Sequence, residues 1–188
     1  MPFENINPYE IKILDWIQSI FQSNALDTIA PYVTKLGDSG VVMIICAVVL
    51  LFFKKTRKIG FAVAGALILE LVIVNITMKP LFMRTRPYDV NTGVNLLIPP
   101  PGDYSFPSGH SASAFAFAVS VLIFNKKIGI PAVILAFAVA LSRLYLYVHY
   151  PSDVLSGIII GILLALVSST IVKAVYKQKD KKAVKQTA

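Results

Sequence analysis

Residues 59–78 read IGFAVAGALILELVIVNITM, which is a run of mainly apolar residues with one charge, Glu70. A helix of about 20 such residues crosses about 30 Å of hydrocarbon, so this stretch predicts a membrane span. Hydrophobic residues make up 56% of the 188-residue chain, and charged residues only 15%. A soluble domain carries about a quarter charged residues. The composition therefore indicates an integral membrane protein.

Four further apolar stretches accompany this one. They are centred on residues 41–53, with a start expected near Gly37, and cover residues 108–124, 128–148 and 154–175. We therefore expect an all-α, polytopic membrane helix bundle of five spans, with six spans as the alternative. The single cysteine, Cys46, excludes an intrachain disulfide and a cysteine metal site.

Residues 1–36 are predicted to be an amphipathic N-terminal segment. Its apolar side chains recur at helical spacing beside Trp16: Ile13, Leu14, Ile17, Ile20 and Phe21. This pattern fits a helix lying in the membrane interface, and a packed cover over the end of the bundle is the alternative. We expect no cleavable signal peptide here. Residues 37–176 then form the transmembrane domain, and residues 177–188 form a basic tail.

The basic residues predict the orientation. Twelve of the 18 Lys and Arg residues lie in the connections 54–58 and 126–127 or in residues 173–185. The positive-inside rule places these segments, and with them the C-terminus, in the cytoplasm of a multi-pass cell-membrane protein. Residues 1–36, the loop 79–107 and the turn 149–153 then face outside. Because topology explains the net charge of +8, we expect no nucleic-acid partner.

Three cations lie against this charge rule, at the outer ends of the spans. Lys79 ends the second span, Arg86 follows seven residues later, and Arg143 lies inside the outer end of the fourth span. Charges near a span usually face a partner or a cavity. Arg supplies a forked set of donors for phosphate oxygens, and Lys supplies a point charge. Together the three predict an anion site on the outer side.

Both histidines of the chain lie on the same side. Asp153, four residues after His149, could accept an N–H from one ring nitrogen and leave the other as a nucleophile, although capping of the fifth span is an alternative. His110 could protonate a leaving oxygen and later activate water. Ser108 and Gly109 precede it at a helix start, where free N–H groups bind phosphate. Because no carboxylate cluster is set up for a metal, we expect attack on a phosphate ester or anhydride without metal or cofactor.

Three motifs in this order resemble the type 2 phosphatidic acid phosphatase family in its small bacterial form. Residues 79–87, KPLFMRTRP, fit KxxxxxxRP, residues 107–110 fit PSGH, and residues 142–153 fit SRxxxxxHxxxD. The motifs cover residues 79–153, and the helical plan extends the resemblance over most of the chain. Many members have six spans, whereas here residues 1–36 take the place of the first.

The resemblance implies a phosphohistidine mechanism, with His149 as nucleophile, Asp153 as its partner and His110 as general acid. It also implies that five residues bind the phosphate: Lys79, Arg86, Arg143, Ser108 and Gly109. The implied partners are the lipid bilayer and a membrane lipid phosphate, with undecaprenyl diphosphate hydrolysed to undecaprenyl phosphate and phosphate in cell envelope biogenesis. Alternatives are a phosphatidylglycerol phosphate or phosphatidic acid phosphatase, a lipid phosphotransferase, and a lipid transporter or scramblase of the same fold. The oligomeric state stays open.

Two polar residues outside the motif positions have open roles. Arg84 is expected either to contact a substrate headgroup or to be a solvated loop charge. Glu70, the one carboxylate deep in a span, is expected to make a hydrogen bond between helices, with Asn75 a turn beyond it, rather than to form a proton path.

Overall fold

The computed structural model describes the backbone of residue 3 and of residues 5–187, and the side chains of these residues except 39 and 180–187. This part of the chain is helical throughout its regular structure, without a strand. One turn of 3₁₀ helix covers Asp38–Gly40, and a π-helical segment covers Leu71–Met78. The α-helices are α1 (Asn7–Phe21), α2 (Asn24–Lys35), α3 (Val41–Phe52), α4 (Arg57–Glu70), α5 (Lys79–Phe82), α6 (Pro87–Val90), α7 (Gly109–Phe124), α8 (Lys126–Tyr145) and α9 (Pro151–Thr187).

The apolar helices lie where the hydropathy predicts them, which confirms the all-helical membrane class. Among the described residues, three stretches are long and apolar enough to cross a membrane: Arg57–Val90, which includes the non-helical residues 83–86, Lys126–Tyr145 and Pro151–Lys179. The helices α3 and α7 are equally apolar but shorter, with 12 and 16 residues. At 1.5 Å per residue they extend about 18 and 24 Å, less than the hydrocarbon thickness. Five spans therefore stay a prediction.

Helix α7 lies at the centre of the bundle, between α4, α8 and α9. Small residues make up most of its buried surface: Ser111, Ala112, Ser113, Ala114, Ala116, Ala118 and Ser120. On α9, Gly157 and Gly161 face this surface, and a Cβ at Gly161 would lie 2.3 Å from the backbone oxygen of Ala112. Small residues spaced four apart allow the backbones of membrane helices to approach closely. This approach brings the motif at the start of α7 next to the motif at the start of α9.

Three predicted helix boundaries are wrong. The first span does not reach back to Gly37, because Gly40 adopts a left-handed conformation (φ 63°) and separates the 3₁₀ turn from α3. The fourth helix ends at Tyr145 rather than at residue 148, because Tyr147 is also left-handed (φ 60°). The fifth helix begins at Pro151, three residues before the predicted start at residue 154. Proline suits the first position of a helix, where no backbone N–H is needed. His149 consequently lies in a turn between two helices.

The N-terminal segment forms two helices, α1 and α2, that pack against α8. Leu14 is fully buried with Tyr147 and Tyr150, so α1 covers the end of the bundle, which was the alternative expectation. Its other face exposes Tyr9, Ile13, Trp16 and Ile20. The membrane interface remains the predicted environment of that face.

Helix α9 continues without a break to residue 187, and the basic tail of residues 177–188 stays a prediction. The side chains of Lys181, Lys182 and Lys185 lie outside the described part of the chain. Among the described side chains, Lys58 lies 4.7 Å from the Tyr176 ring and Lys173 lies 5.3 Å from the Phe124 ring. The basic connection before α4 and the end of α9 therefore share the end of the bundle that is opposite the three motifs.

Candidate active site

Lys79 and Arg86 come together at the end of the bundle that α1 covers. Lys79 is the first residue of α5, and Arg86 ends the non-helical residues 83–86 that follow α5. Both side chains are buried, yet both form ion pairs with one carboxylate, that of Asp103. Arg86 Nη2 donates to Asp103 Oδ1 at 2.6 Å, and Lys79 Nζ contacts Asp103 Oδ2. A single anion thus bridges the two cations.

Asp103 belongs to the long loop before α7, and its side chain is half-exposed. Burial opposes its ionisation, but the hydrogen bonds and charges of Lys79 and Arg86 outweigh burial and lower the pKa of Asp103 to about 2. The carboxylate is therefore ionised at neutral pH. Asp103 pairs with two of the cations that the motifs predict to bind phosphate, and it lies outside all three motifs.

His149 lies beside Arg86 in the turn between α8 and α9. Arg86 Nη1 donates to the carbonyl oxygen of Val148 at 2.6 Å and lies 3.3 Å from His149 Nε2. Because guanidinium N–H groups only donate, this contact requires the lone pair of the imidazole on Nε2 and the proton on Nδ1. Burial first, and then the positive charges of Arg86, Arg143 and Lys79, hold the pKa of His149 well below its ordinary value. A neutral imidazole with a lone pair on Nε2 is the form that a nucleophile needs.

Asp153 lies in the first turn of α9 and is fully buried. Its Oδ2 lies 3.5 Å from His149 Nδ1 and accepts hydrogen bonds from Ser105 Oγ at 2.5 Å and from Tyr150 N at 2.9 Å. The separation from His149 is longer than a typical hydrogen bond. Asp153 therefore faces the nitrogen that carries the proton.

The PSGH motif forms the start of α7. Ser108 caps the helix, since its Oγ accepts from Ser111 N at 3.4 Å, and its own N–H donates to the backbone oxygen of Asp153 at 3.0 Å. A Cβ at Gly109 would lie 3.2 Å from Asn75 Oδ1 and 3.6 Å from Lys79 Nζ. Glycine thus leaves room beside Lys79, where the free N–H groups of the helix start suit an anion.

His110 and Arg143 complete the predicted set. His110 Nε2 lies 2.8 Å from Asp38 Oδ1, which comes from the 3₁₀ turn before α3. Arg143 is buried near the end of α8, and its Nη1 donates to Thr34 Oγ1 on α2 at 2.5 Å. Within the described part of the chain its Nε has no hydrogen-bond partner, so one donor remains for a ligand.

A cavity of about 760 Å³ opens beside these residues, between α3, α4 and α7. Its polar end is formed by Asp38, Lys79, Asp103 and His110. The remaining wall is mainly apolar and comes from Ile44, Ala47, Val48, Leu51, Ala64, Leu67 and Ile68. His149 and Arg86 do not line the cavity, whereas Asp103 and Lys79, which pair with each other, do. A long apolar ligand with an anionic end matches this shape.

Both expectations for Arg84 are wrong. Arg84 is only 2% exposed, so it is not a solvated charge. Its guanidinium binds protein groups inside the molecule and is not available to a substrate headgroup. Its Nη1 donates to Asp153 Oδ1 at 2.5 Å, and its Nη2 pairs with Glu10 of α1. Arg86, two residues further on, pairs with Asp103 instead. Sequence spacing alone does not show this separation.

The expected hydrogen bond of Glu70 is present but within one helix. Asn75 Nδ2 donates to Glu70 Oε1 at 3.0 Å, across the junction of α4 and the π-helical segment. The prediction of a bond between helices is therefore wrong. A spacing of five residues matches the i to i+5 repeat of the π-helix, which often marks functional sites. Both residues line the cavity near Gly109.

Comparison with known proteins defines the class. The model of the PAP2 superfamily matches residues 55–177. The chain belongs to this superfamily and is a multi-pass membrane phosphatase.

Three known proteins illustrate the similarity. An undecaprenyl-diphosphatase from Sulfolobus acidocaldarius is 34% identical over 74% of this chain and 68% of its own length. Undecaprenyl-diphosphatase BcrC from Bacillus subtilis is 31% identical over 76% of this chain and 72% of its own length. The crystal structure of a PAP2-type phosphatidylglycerolphosphate phosphatase from Bacillus subtilis superposes with a TM-score of 0.75 at 24% identity, over 91% of this chain and 88% of that one. The last comparison supports the fold.

Proposed function

We propose that this phosphatase hydrolyses an isoprenoid diphosphate, best matched by undecaprenyl diphosphate, to the monophosphate and inorganic phosphate. The observation that carries the proposal is the cavity, whose apolar wall continues from the Lys79 and His110 end into the bundle. An isoprenoid chain is apolar along its whole length, as this wall requires. Two relatives that carry the name undecaprenyl-diphosphatase support the same substrate class.

The proposed mechanism uses two histidines in sequence. His149 Nε2 attacks the terminal phosphorus, and His110 protonates the leaving oxygen. His110 then removes a proton from water, which attacks the phosphohistidine and releases phosphate. Asp153 accepts a hydrogen bond from His149 Nδ1 and stabilises the positive charge that the imidazole ring gains in the phosphohistidine.

Phosphate binding in this mechanism uses Lys79 at the polar end of the cavity and two buried arginines near His149. Lys79, Arg86 and Arg143 neutralise the phosphate oxygens. The start of α7, capped by Ser108 and with the N–H of Gly109 in its first turn, contributes its dipole. Because Asp103 bridges Lys79 and Arg86, the incoming phosphate has to take its place. A phosphate that replaces Asp103 on Arg86 is held by the same guanidinium that contacts His149 Nε2.

Phosphate release by the purified protein in detergent tests the substrate. The panel contains undecaprenyl diphosphate, phosphatidylglycerol phosphate and phosphatidic acid, each with EDTA, and His149→Ala as the matched inactive variant. We expect fastest release from undecaprenyl diphosphate, unchanged by EDTA and absent in His149→Ala. Faster release from either glycerophospholipid would assign the site to that substrate instead. Phosphate transfer that requires a lipid acceptor would make the protein a transferase, and folded protein without any release would favour transport.

We further propose that the active site faces the outside of the cell and the C-terminus the cytoplasm. The basic residues at the opposite end of the bundle support this orientation. A cysteine introduced at residues 91–95, in a chain whose Cys46 is replaced by serine, should react with an impermeant reagent in intact cells. Reaction only after permeabilisation would reverse the orientation.

A further inference from the structure

Arg84 binds partners from two segments of the chain. Nη1 donates to Asp153 Oδ1 at 2.5 Å and to Ser152 Oγ at 2.7 Å, both in the first turn of α9. Nη2 donates to Asn7 Oδ1 at 2.7 Å and pairs with Glu10, both on α1. The fixed fork of the guanidinium suits such simultaneous contacts. Arg84 therefore connects the N-terminal helix directly to the carboxylate that faces His149.

Two aromatic rings cover this guanidinium. Its Cζ lies 3.9 Å from the centre of the Tyr150 ring and 4.3 Å from that of Phe3. Contacts of this kind stabilise a cation and keep water away from it. With Arg84 2% exposed, its pairs with Glu10 and Asp153 lie inside the protein. Buried pairs are screened far less by solvent than surface pairs.

Glu10 makes a second connection to the same turn. Its Oε1 accepts from the backbone N–H of Ser152 at 2.6 Å, and its Oε2 accepts from Ser152 Oγ at 3.0 Å. The N–H of Ser152 belongs to the start of α9, which lacks an intrahelical partner and attracts negative charge. Glu10 thus holds both Arg84 and the helix turn that carries Asp153.

We infer that Arg84 and Glu10 are positioning residues for the phosphatase reaction, an inference that rests on the proposed roles of His149 and Asp153. Arg84 fixes Asp153 Oδ1, which leaves Oδ2 directed at His149 Nδ1. Glu10 fixes the second half of the guanidinium and makes α1 a part of the catalytic apparatus. Both side chains are buried and bind other protein groups, so neither contacts the substrate.

This arrangement explains why a carboxylate is tolerated where Asp153 lies. Asp153 is fully buried, and a buried charge requires a partner and hydrogen bonds. His149 is neutral before reaction, so it supplies no balancing charge. Arg84 supplies that charge, and Ser105 and Tyr150 satisfy the second oxygen. Removal of Arg84 leaves Asp153 free to turn away from His149.

The test compares Arg84→Met, Arg84→Lys and Glu10→Gln with the wild-type protein. We expect kcat in Arg84→Met to fall about 10- to 100-fold while KM stays unchanged. This loss is smaller than the full contribution of a positioned proton-transfer group, because His149 and Asp153 are still present. Arg84→Lys should recover part of the loss, because it restores the charge beside Asp153. Glu10→Gln should lower kcat in the same direction. Asp15→Asn, which removes a charge from the same helix at a contact with Tyr147, should leave kcat unchanged.

The outcomes separate this inference from the proposed function. A wild-type protein that releases no phosphate overturns both. An active wild-type protein and an inactive His149→Ala, with Glu10→Gln equal to Asp15→Asn in kcat, overturn only the positioning role. A rise in KM at unchanged kcat for Arg84→Lys overturns it as well. If Arg84→Met does not fold, Arg84→Lys and Glu10→Gln decide, with folding checked by thermal unfolding in detergent.

Discussion

Replacement of Asp103 by asparagine tests whether this carboxylate competes with phosphate. Asp103 bridges Lys79 and Arg86, and an amide of the same shape keeps the loop contacts but removes the negative charge. If phosphate has to displace Asp103, the neutral variant should bind phosphate more tightly. We therefore expect a lower inhibition constant for inorganic phosphate in Asp103→Asn.

The expected change in phosphate affinity follows from how strongly the two cations stabilise the Asp103 carboxylate. The two cations, acting against burial, lower the pKa of Asp103 from 3.8 to about 2. At about 1.4 kcal/mol per pKa unit this is about 2.5 kcal/mol in favour of the ionised form. The side chain is 51% exposed, so solvent screening reduces the useful part to about 1 kcal/mol. The expected change in phosphate affinity is therefore about fivefold.

The assay is inhibition of lipid phosphate hydrolysis by added inorganic phosphate. Asp89→Asn is the matched control, because it removes the same charge from an exposed position in the neighbouring helix α6. Because the pKa of Asp103 is about 2, its charge is constant between pH 5 and 9. The ratio of the inhibition constants of the wild-type protein and Asp103→Asn should therefore not change in that range. An inhibition constant that rises in Asp103→Asn, relative to Asp89→Asn, would show that Asp103 positions the cations instead.

Two further predictions concern stability. Gly161→Ala should lower the unfolding temperature, because its Cβ would lie 2.3 Å from the Ala112 backbone oxygen and overpacking costs about 1–3 kcal/mol. Gly102→Ala, which has open space around the Cβ, is the control. Equal unfolding temperatures for the two variants would contradict the close approach of α7 and α9. For His149, burial and then nearby cations hold the pKa well below 6.5. Below pH 6.5 the unfolded chain therefore binds a proton that the folded chain does not, so the free energy of unfolding decreases as the pH falls from 7 to 5. Thermal unfolding should therefore show a smaller loss between pH 7 and pH 5 for His149→Gln than for the wild-type protein, and parallel curves would refute this.

The membrane class and the helical plan follow from composition and from apolar run length. A run such as residues 59–78 has to satisfy its backbone hydrogen bonds internally in lipid, and a helix does so within one segment. Local pattern therefore predicts where the apolar helices lie without knowledge of their neighbours. The start of α3 at Val41 and the end of α8 at Tyr145 differ from the predicted spans, because hydropathy does not report the positive φ of Gly40 and Tyr147.

The three motifs also predict which residues meet, because each lies at the same end of the predicted spans. The structure brings Lys79, Arg86, His149 and Asp153 into contact as a set, either directly or through Asp103. Their roles in the reaction stay predictions until the variants are measured. What the sequence supplies here is residue type, spacing and side of the membrane.

Only the tertiary structure decides the partners of these residues. Arg84 and Arg86 are two positions apart, yet Arg84 pairs with Glu10 and Asp153 whereas Arg86 pairs with Asp103. Glu10 and Asp103 lie in segments that carry no motif, and they reach the site through the packing of α1 and of the loop before α7. Ion pairs depend on separations of a few ångströms inside a low-dielectric interior. Hydropathy and spacing report which face a residue occupies, but such separations exist only once the chain is folded.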